Sequence, residues 1–245
     1  MIASLGMYDM PHLRGATDRF WTAIAAYLDD APDALMRGVD LWEIWQSPDL
    51  LLAQTCGMPY RTRLHSKVAL IGTPDYDLPD CPPGHYFSYI IRRRVDRRDL
   101  QQLAKNGVMA FNDTLSQSGW AAPLTFMAEL GLRPAQIKQT HSHLGSIRAV
   151  LRGQADYAAI DAVTLMIWAQ DDIDGMMLLD TLARTSPTPA LPYITALSSD
   201  PTPIAKAIRA AIKNLSQEDR CDLRLGGLID IPASEYLAVP SPPVA

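Results

Sequence analysis

Hydroxyl and amide donors gather in one stretch of this chain, Phe111-Asn112-Asp113-Thr114-Leu115-Ser116-Gln117-Ser118-Gly119-Trp120. An apolar run, Val108 to Phe111, precedes it and reads as a short strand. Pro123 to Leu130 follow, with apolar spacing that suits a helix closed by Gly131. The stretch is therefore a strand-to-helix turn. At such a turn the first backbone N–H groups have no internal acceptor and the helix dipole presents positive potential. Ser116 and Ser118 add hydroxyl donors, and Gly119 lets a ligand approach the backbone closely. Two readings stand side by side: an ordinary helix cap by Ser116 or Ser118, and a cradle for an oxyanion.

Two more polar clusters invite the same question. His141-Ser142-His143-Leu144-Gly145-Ser146 lies between a strand at 137–140 and a helix over 147–152. Asp161 ends the apolar strand Ala155 to Ile160. His143 can donate to a phosphoryl oxygen, and Asp161 can accept from a protonated oxygen or an amine. Equally, His143 can be an ordinary helix-start residue and Asp161 a helix cap. An aspartate facing an anion is tolerable only with a proton or cationic group between them. His141 and His143, two residues apart, would point to opposite sides of a strand, so no metal site is expected there.

The bulk numbers exclude several classes. A 245-residue chain with 48% hydrophobic and 20% charged residues can bury a sizeable core, and no stretch is long and apolar enough for a membrane span. A formal charge of −5 argues against nucleic acid as a partner. The densest basic cluster, Arg92, Arg93, Arg94, Arg97 and Arg98, is interleaved with Asp96 and Asp99 and reads as a solvated face. Three cysteines, at 56, 81 and 221, are too few and scattered for a zinc site. One disulfide is arithmetically possible, Cys56 with Cys81 being the better pair. No metal or other cofactor is expected.

The elements that must position these residues alternate regularly. Strands are expected at 2–7, 50–54, 67–72, 86–91, 108–111, 137–140, 155–160 and 193–197. Helices are expected after Thr17 or Asp18, with Phe20, Trp21, Ile24, Tyr27 and Leu28 as the apolar stripe, and over 97–105 with Asp96 as cap. Further helices are expected after the serine turn, over 147–152, over 201–215 with Ile204, Ala207, Ile208, Ala211 and Ile212 inward, and over 216–225. Alternation of this kind implies βαβ units and a largely parallel, doubly wound α/β sheet, with ligands beyond the carboxyl ends of the strands. Proline-rich crossings at 73–84 and 185–192 divide the chain into a discontinuous lobe, 1–84 with 190–245, and an inserted lobe, 85–189. The tail 239–245 is too rich in proline to pack and is expected as an extended arm.

Taken together, the motifs resemble the phosphate, phosphite and phosphonate substrate-binding proteins of ABC transporters. The residues that carry the likeness are Ala3-Ser4-Leu5-Gly6-Met7-Tyr8-Asp9, Gln54-Thr55-Cys56-Gly57-Met58-Pro59 and Tyr86-Phe87-Ser88-Tyr89-Ile90-Ile91. Asn112-Asp113 with Ser116, Ser118 and Gly119 follow, then Ser142-His143 with Ser146-Ile147, Gly153 to Asp161, and Pro192-Tyr193-Ile194-Thr195. The resemblance implies the two-lobed type 2 periplasmic-binding-protein fold and a small anionic ligand held in a cleft between lobes that close on a hinge. It implies no catalysis. By position it places Tyr8, Ser116, Ser118, Gly119, His143 and Asp161 around the ligand, and it implies membrane subunits of a transporter as partners. His141 stands where the likeness leads one to expect glycine. Met1 opens directly on a strand: the protein is periplasmic if an export signal was trimmed and cytoplasmic if Met1 is the native start. That start motivates the alternative, a cytoplasmic enzyme or sensor on the same fold acting on a small anionic metabolite.

Overall fold

In the computed structural model residues 1–242 are described, and they divide into two units, Met1–His85 with Pro189–Ala238, and Tyr86–Thr188 with the tail from Val239. In the first unit five strands lie in the order Ile2–Ser4, Leu50–Gln54, Tyr193–Ala196, Val68–Asp75, Gly227–Ile229. Leu50 to Ala53 are buried on both faces, as a continuous apolar run requires. Ile44, Trp45, Tyr60, Leu64 and Tyr236 close one side of the sheet.

The helix Arg14–Ala25 begins earlier than its sequence suggests, because a turn of 3-10 helix at Pro11–Leu13 leads into it. Thr17 does not cap it; its hydroxyl donates to the Leu13 carbonyl at 3.1 Å. Phe20, Trp21 and Ile24 are buried, whereas Tyr27 lies past the helix end and is exposed. No disulfide forms among the three cysteines.

The second unit carries a sheet in the order Gln136–Gln139, Val108–Phe111, Tyr157–Asp161, Ser88–Arg93, Leu179–Arg184. Both faces are covered. Ile91, Ala110 and Ala158 pack with Ile147 and Val150 on one side, and Ile90, Met109 and Ala159 pack with Leu103 and Met127 on the other. The expectation of a largely parallel sheet needs correction. The first three strands are parallel, but Ser88–Arg93 runs antiparallel to both of its neighbours. This strand opens the unit and Leu179–Arg184 closes it, so the chain enters and leaves along adjacent, opposed strands.

The helix after Ser88–Arg93 is Leu100–Asn106, capped by Asp99 and not by Asp96. Asp99 accepts from the Gln102 amide at 2.8 Å, and Gln102 returns a bond to the Asp99 amide at 3.0 Å. Asp96 is occupied by Arg98, whose hydrogen bonds hold its carboxyl down at about 2. Arg98 also reaches Asp156 at 2.5 Å, Arg93 donates to the Val150 and Ala155 carbonyls, and Arg94 pairs with Asp180. Arg93, Arg94 and Arg98 thus form a network of ion pairs and hydrogen bonds that ties strand ends together, while Arg94 and Arg97 are exposed as a solvated face requires.

The expected tail arm over 239–245 falls, for 243–245, outside the described residues. No helix among the described residues is long and apolar enough to cross a membrane.

His141 adopts φ 63°, the left-handed region. That backbone costs a non-glycine residue about 1–2 kcal/mol, a physical reason to expect glycine at this position. His141→Gly is expected to raise stability by about 1 kcal/mol in urea unfolding, since glycine's greater chain entropy offsets part of the gain.

Candidate functional site

Because Val108–Phe111 is parallel to both Gln136–Gln139 and Tyr157–Asp161, all three strands end at one edge of the sheet. The loops that leave them carry the three polar clusters. After Phe111 the chain makes an Asx turn, Asp113 accepting from the Leu115 amide at 2.7 Å. Ser116 then caps the next helix, its Oγ accepting from the Gly119 amide at 2.9 Å. The first turn, Gln117–Ala121, is a wide π-type turn, and the α-helix proper runs Ala122–Glu129. Of the two serines, Ser116 is therefore the cap, and Ser118 is released for other work.

Ser118 Oγ lies 2.8 Å from His143 Nε2. Its backbone carbonyl accepts from Ser88 Oγ at 2.9 Å, which fixes the turn from the strand beneath. His143 opens the helix His143–Leu151, capped by Ser142 through the Gly145 amide at 3.0 Å. This helix begins four residues earlier than the apolar spacing implies, because Ser142 is the cap. The loop before it is anchored by Thr140, whose hydroxyl bonds the Phe111 carbonyl at 2.9 Å and Ser146 Oγ at 2.6 Å.

Asp161 caps the helix Ala162–Asp171. Its two oxygens accept from the Thr164 amide at 3.0 Å and the Thr164 hydroxyl at 2.7 Å, and Oδ2 lies 3.9 Å from His143 Nε2.

Ser116, Ser118, Gly119, His143 and Asp161 are thus brought together within the second unit, all largely buried. Tyr8 belongs to the first unit, where its ring meets Tyr76 edge-on at 5.4 Å beside Gln54 and Tyr193. Sequence reading assigned no site role to three supports, Ser88, Thr140 and Thr164, although Ser88 lies in a segment that carries the likeness. Each is a hydroxyl at a strand end or first helical turn, and that is the signal that marks them. It named Asn112 but gave it no role; its side chain sits against Gly119.

Burial lowers the pKa of His143, and the Asp161 carboxylate and the Ala159 backbone oppose that shift. No lysine or arginine hydrogen bonds or ion-pairs with the side chains of Ser116, Ser118, His143 or Asp161 among the described residues. Nor do the described residues contain a group of side chains able to hold a metal ion. The site combines hydroxyls, one imidazole, three helix starts and the Asp161 carboxylate, and all of these but the carboxylate suit an oxyanion. It does not suit nucleophilic attack. A serine relay needs the acid on the far ring nitrogen of the histidine, and here Ser118 and Asp161 both approach Nε2.

The family model for the ABC transporter, phosphonate, periplasmic substrate-binding protein matches residues 53–230, and the chain belongs to that family. It is a substrate-binding component of transport and not an enzyme, and a small anionic ligand and transporter subunits are its partners. No curated protein matches the sequence. A binding protein component of an ABC phosphonate transporter from Pseudomonas aeruginosa superposes with a TM-score of 0.72 at 14% identity, over 96% of this chain and 82% of its own. PhnD1 from Prochlorococcus marinus, solved in complex with methylphosphonate, gives 0.67 at 15% identity over 91% and 90%. A histidine kinase sensor domain similar to periplasmic binding proteins gives 0.59 at 15% identity over 94% and 98%. The likeness establishes the two-lobed periplasmic-binding-protein fold.

Two outcomes follow from this geometry. A Cβ at position 119 would meet Asn112 Oδ1 at 2.0 Å, so Gly119→Ala is expected to cost about 1–3 kcal/mol in thermal or urea unfolding, and adding Asn112→Ala should restore most of it. His143 charges in the unfolded chain near the ordinary 6.5 but not in the fold, so ligand-free protein should lose stability as pH falls below about 6.5. His143→Gln should flatten that slope in denaturant titrations.

Proposed function

We propose that the second unit holds a phosphonate, phosphate or phosphite oxyanion at the turn 116–119, with Ser118 and His143 as its side-chain donors. The observation that carries this is the Ser118–His143 pair, 2.8 Å apart at the edge where two helices start. Serine hydroxyl and imidazole satisfy each other, and a tetrahedral oxyanion placed there takes a bond from each. Ser116 and Gly119 shape the turn beneath it, and Asp161 limits the ring to one approach. Asp161 also sets a condition on the ligand: a fully ionised oxygen is repelled by its carboxylate, while a protonated one is accepted. Tyr8 is assigned to the ligand set on the family resemblance alone. The bound anion is then delivered to membrane subunits of a transporter.

Calorimetric titration with methylphosphonate, phosphate and phosphite tests the reading. At least one should bind, and Ser118→Ala should weaken it by roughly tenfold or more, the loss expected for one hydrogen bond to a charged group. A response only to uncharged ligands, or an unchanged affinity in Ser118→Ala, would overturn it. Because burial keeps His143 neutral, an anion beside it raises its pKa, and binding near pH 7 should take up protons. Heats measured in buffers of different ionisation enthalpy, corrected for the ligand's own titration, should show that uptake, and His143→Gln should abolish it.

A further inference from the structure

The strands Ser88–Arg93 and Leu179–Arg184 are antiparallel, so the first residue of one and the last of the other lie at the same end of the second unit's sheet. That end is the one where the ligand donors gather: Ser88 stands opposite Asp161, and Tyr89 stands between Ile160 and Arg184. Arg184 is thus two strands from Ile160, about 10 Å at ordinary strand spacing. Its guanidinium lies over the Phe87 ring, with Cζ 4.6 Å from the centroid. Phe87 is buried, meets Tyr89 edge-on at 5.0 Å, and through its carbonyl accepts from the Ala162 amide at 3.0 Å, one residue past Asp161. A ring, and not a carboxylate, therefore anchors this cation beside the site. Arg184 is exposed and makes no ion pair or hydrogen bond among the described residues. Toward the other end of the sheet Arg92, Arg93, Arg94 and Arg98 each reach Asp156 or Asp180.

An arginine paired with a carboxylate presents only a weak dipole to an approaching ion, whereas one stacked on a ring keeps its full charge and a fixed place. Here that charge acts against a repulsive background. The chain carries a formal charge of −5, and Asp161 and the exposed Asp113 lie at the same edge. We propose that Arg184 steers the oxyanion toward the turn 116–119, raising the rate of capture without bonding the anion once it is held. This rests on the reading that the turn holds an oxyanion. At a separation of about 10 Å, one unit charge changes the local concentration of a monovalent anion by roughly twofold in water and by roughly tenfold at the lower effective dielectric of a protein surface. The effect belongs to association, because a charge that makes no contact in the bound state leaves the bonds that govern dissociation unaltered.

The test is stopped-flow tryptophan fluorescence on the full chain, in which Trp120 adjoins Gly119, using whichever of methylphosphonate, phosphate and phosphite binds in calorimetry. At about 10 mM salt Arg184→Gln should associate at least about threefold more slowly and Arg184→Glu at least about tenfold more slowly, each with dissociation within about twofold of wild type. At about 1 M salt, where the screening length is about 3 Å, the three association rates should converge. Arg184→Lys keeps the charge and gives up the planar stack, and should retain at least about half of the wild-type rate. Four outcomes would each overturn steering: a wild-type association rate in Arg184→Gln at low salt, a slowed rate that high salt does not restore, a loss in Arg184→Lys as deep as in Arg184→Gln, which would assign the effect to packing on Phe87, or faster dissociation that accounts for the loss, which would make Arg184 a direct contact. In all four the oxyanion reading stands. Binding of none of the three anions by the wild-type chain overturns that reading, and steering with it.

Discussion

Ser118 and His143 are 25 positions apart in sequence, and they meet because three strands of one sheet run in the same direction. Parallel pairing of Val108–Phe111 with its two neighbours sends the three following loops to the same edge. Each loop then opens a helix, so the donors left over at helix starts are concentrated where the strands stop. The remaining contacts hold this arrangement still. Ser88 grips the carbonyl of Ser118, Thr140 ties the histidine loop to the end of the neighbouring strand, and Thr164 occupies both oxygens of Asp161. On the proposed reading, the donors are fixed before an anion arrives, so little ordering entropy is lost on binding.

The same three residue types, serine, histidine and aspartate, make up many hydrolytic sites, and the difference here lies in which ring nitrogen is used. Directing the serine and the carboxylate to one nitrogen leaves no path by which the acid could hold the imidazole for proton abstraction. What remains is an electrostatic environment. On the proposed reading, dipoles and hydroxyls supply positive potential without a buried lysine or arginine, and the Asp161 carboxylate beside them opposes it.

Much of this was legible from residue order. The serine turn, the capping role open to Asp161 and the buried strand Leu50–Gln54 all follow from local periodicity and hydroxyl placement. The direction of Ser88–Arg93 was not legible, because regular alternation of strand and helix fixes the connection and not the orientation of the strand that opens the unit. The distant ion pairs of the arginine cluster are illegible for a related reason: their partners Asp156 and Asp180 lie far away in sequence. Local charge counting sees only Asp96 and Asp99. The choice between Ser116 and Ser118 as cap depends on the wide first turn of the helix, which no residue type announces.

The pairing of Ser88–Arg93 with Leu179–Arg184, Tyr89 standing opposite Arg184, brings the two ends of the second unit side by side. A segment of about one hundred residues that begins and ends at one point replaces a short loop in its host at small entropic cost. It carries its own core and its own donor set, so its recognition surface can diverge while the host strands keep their register.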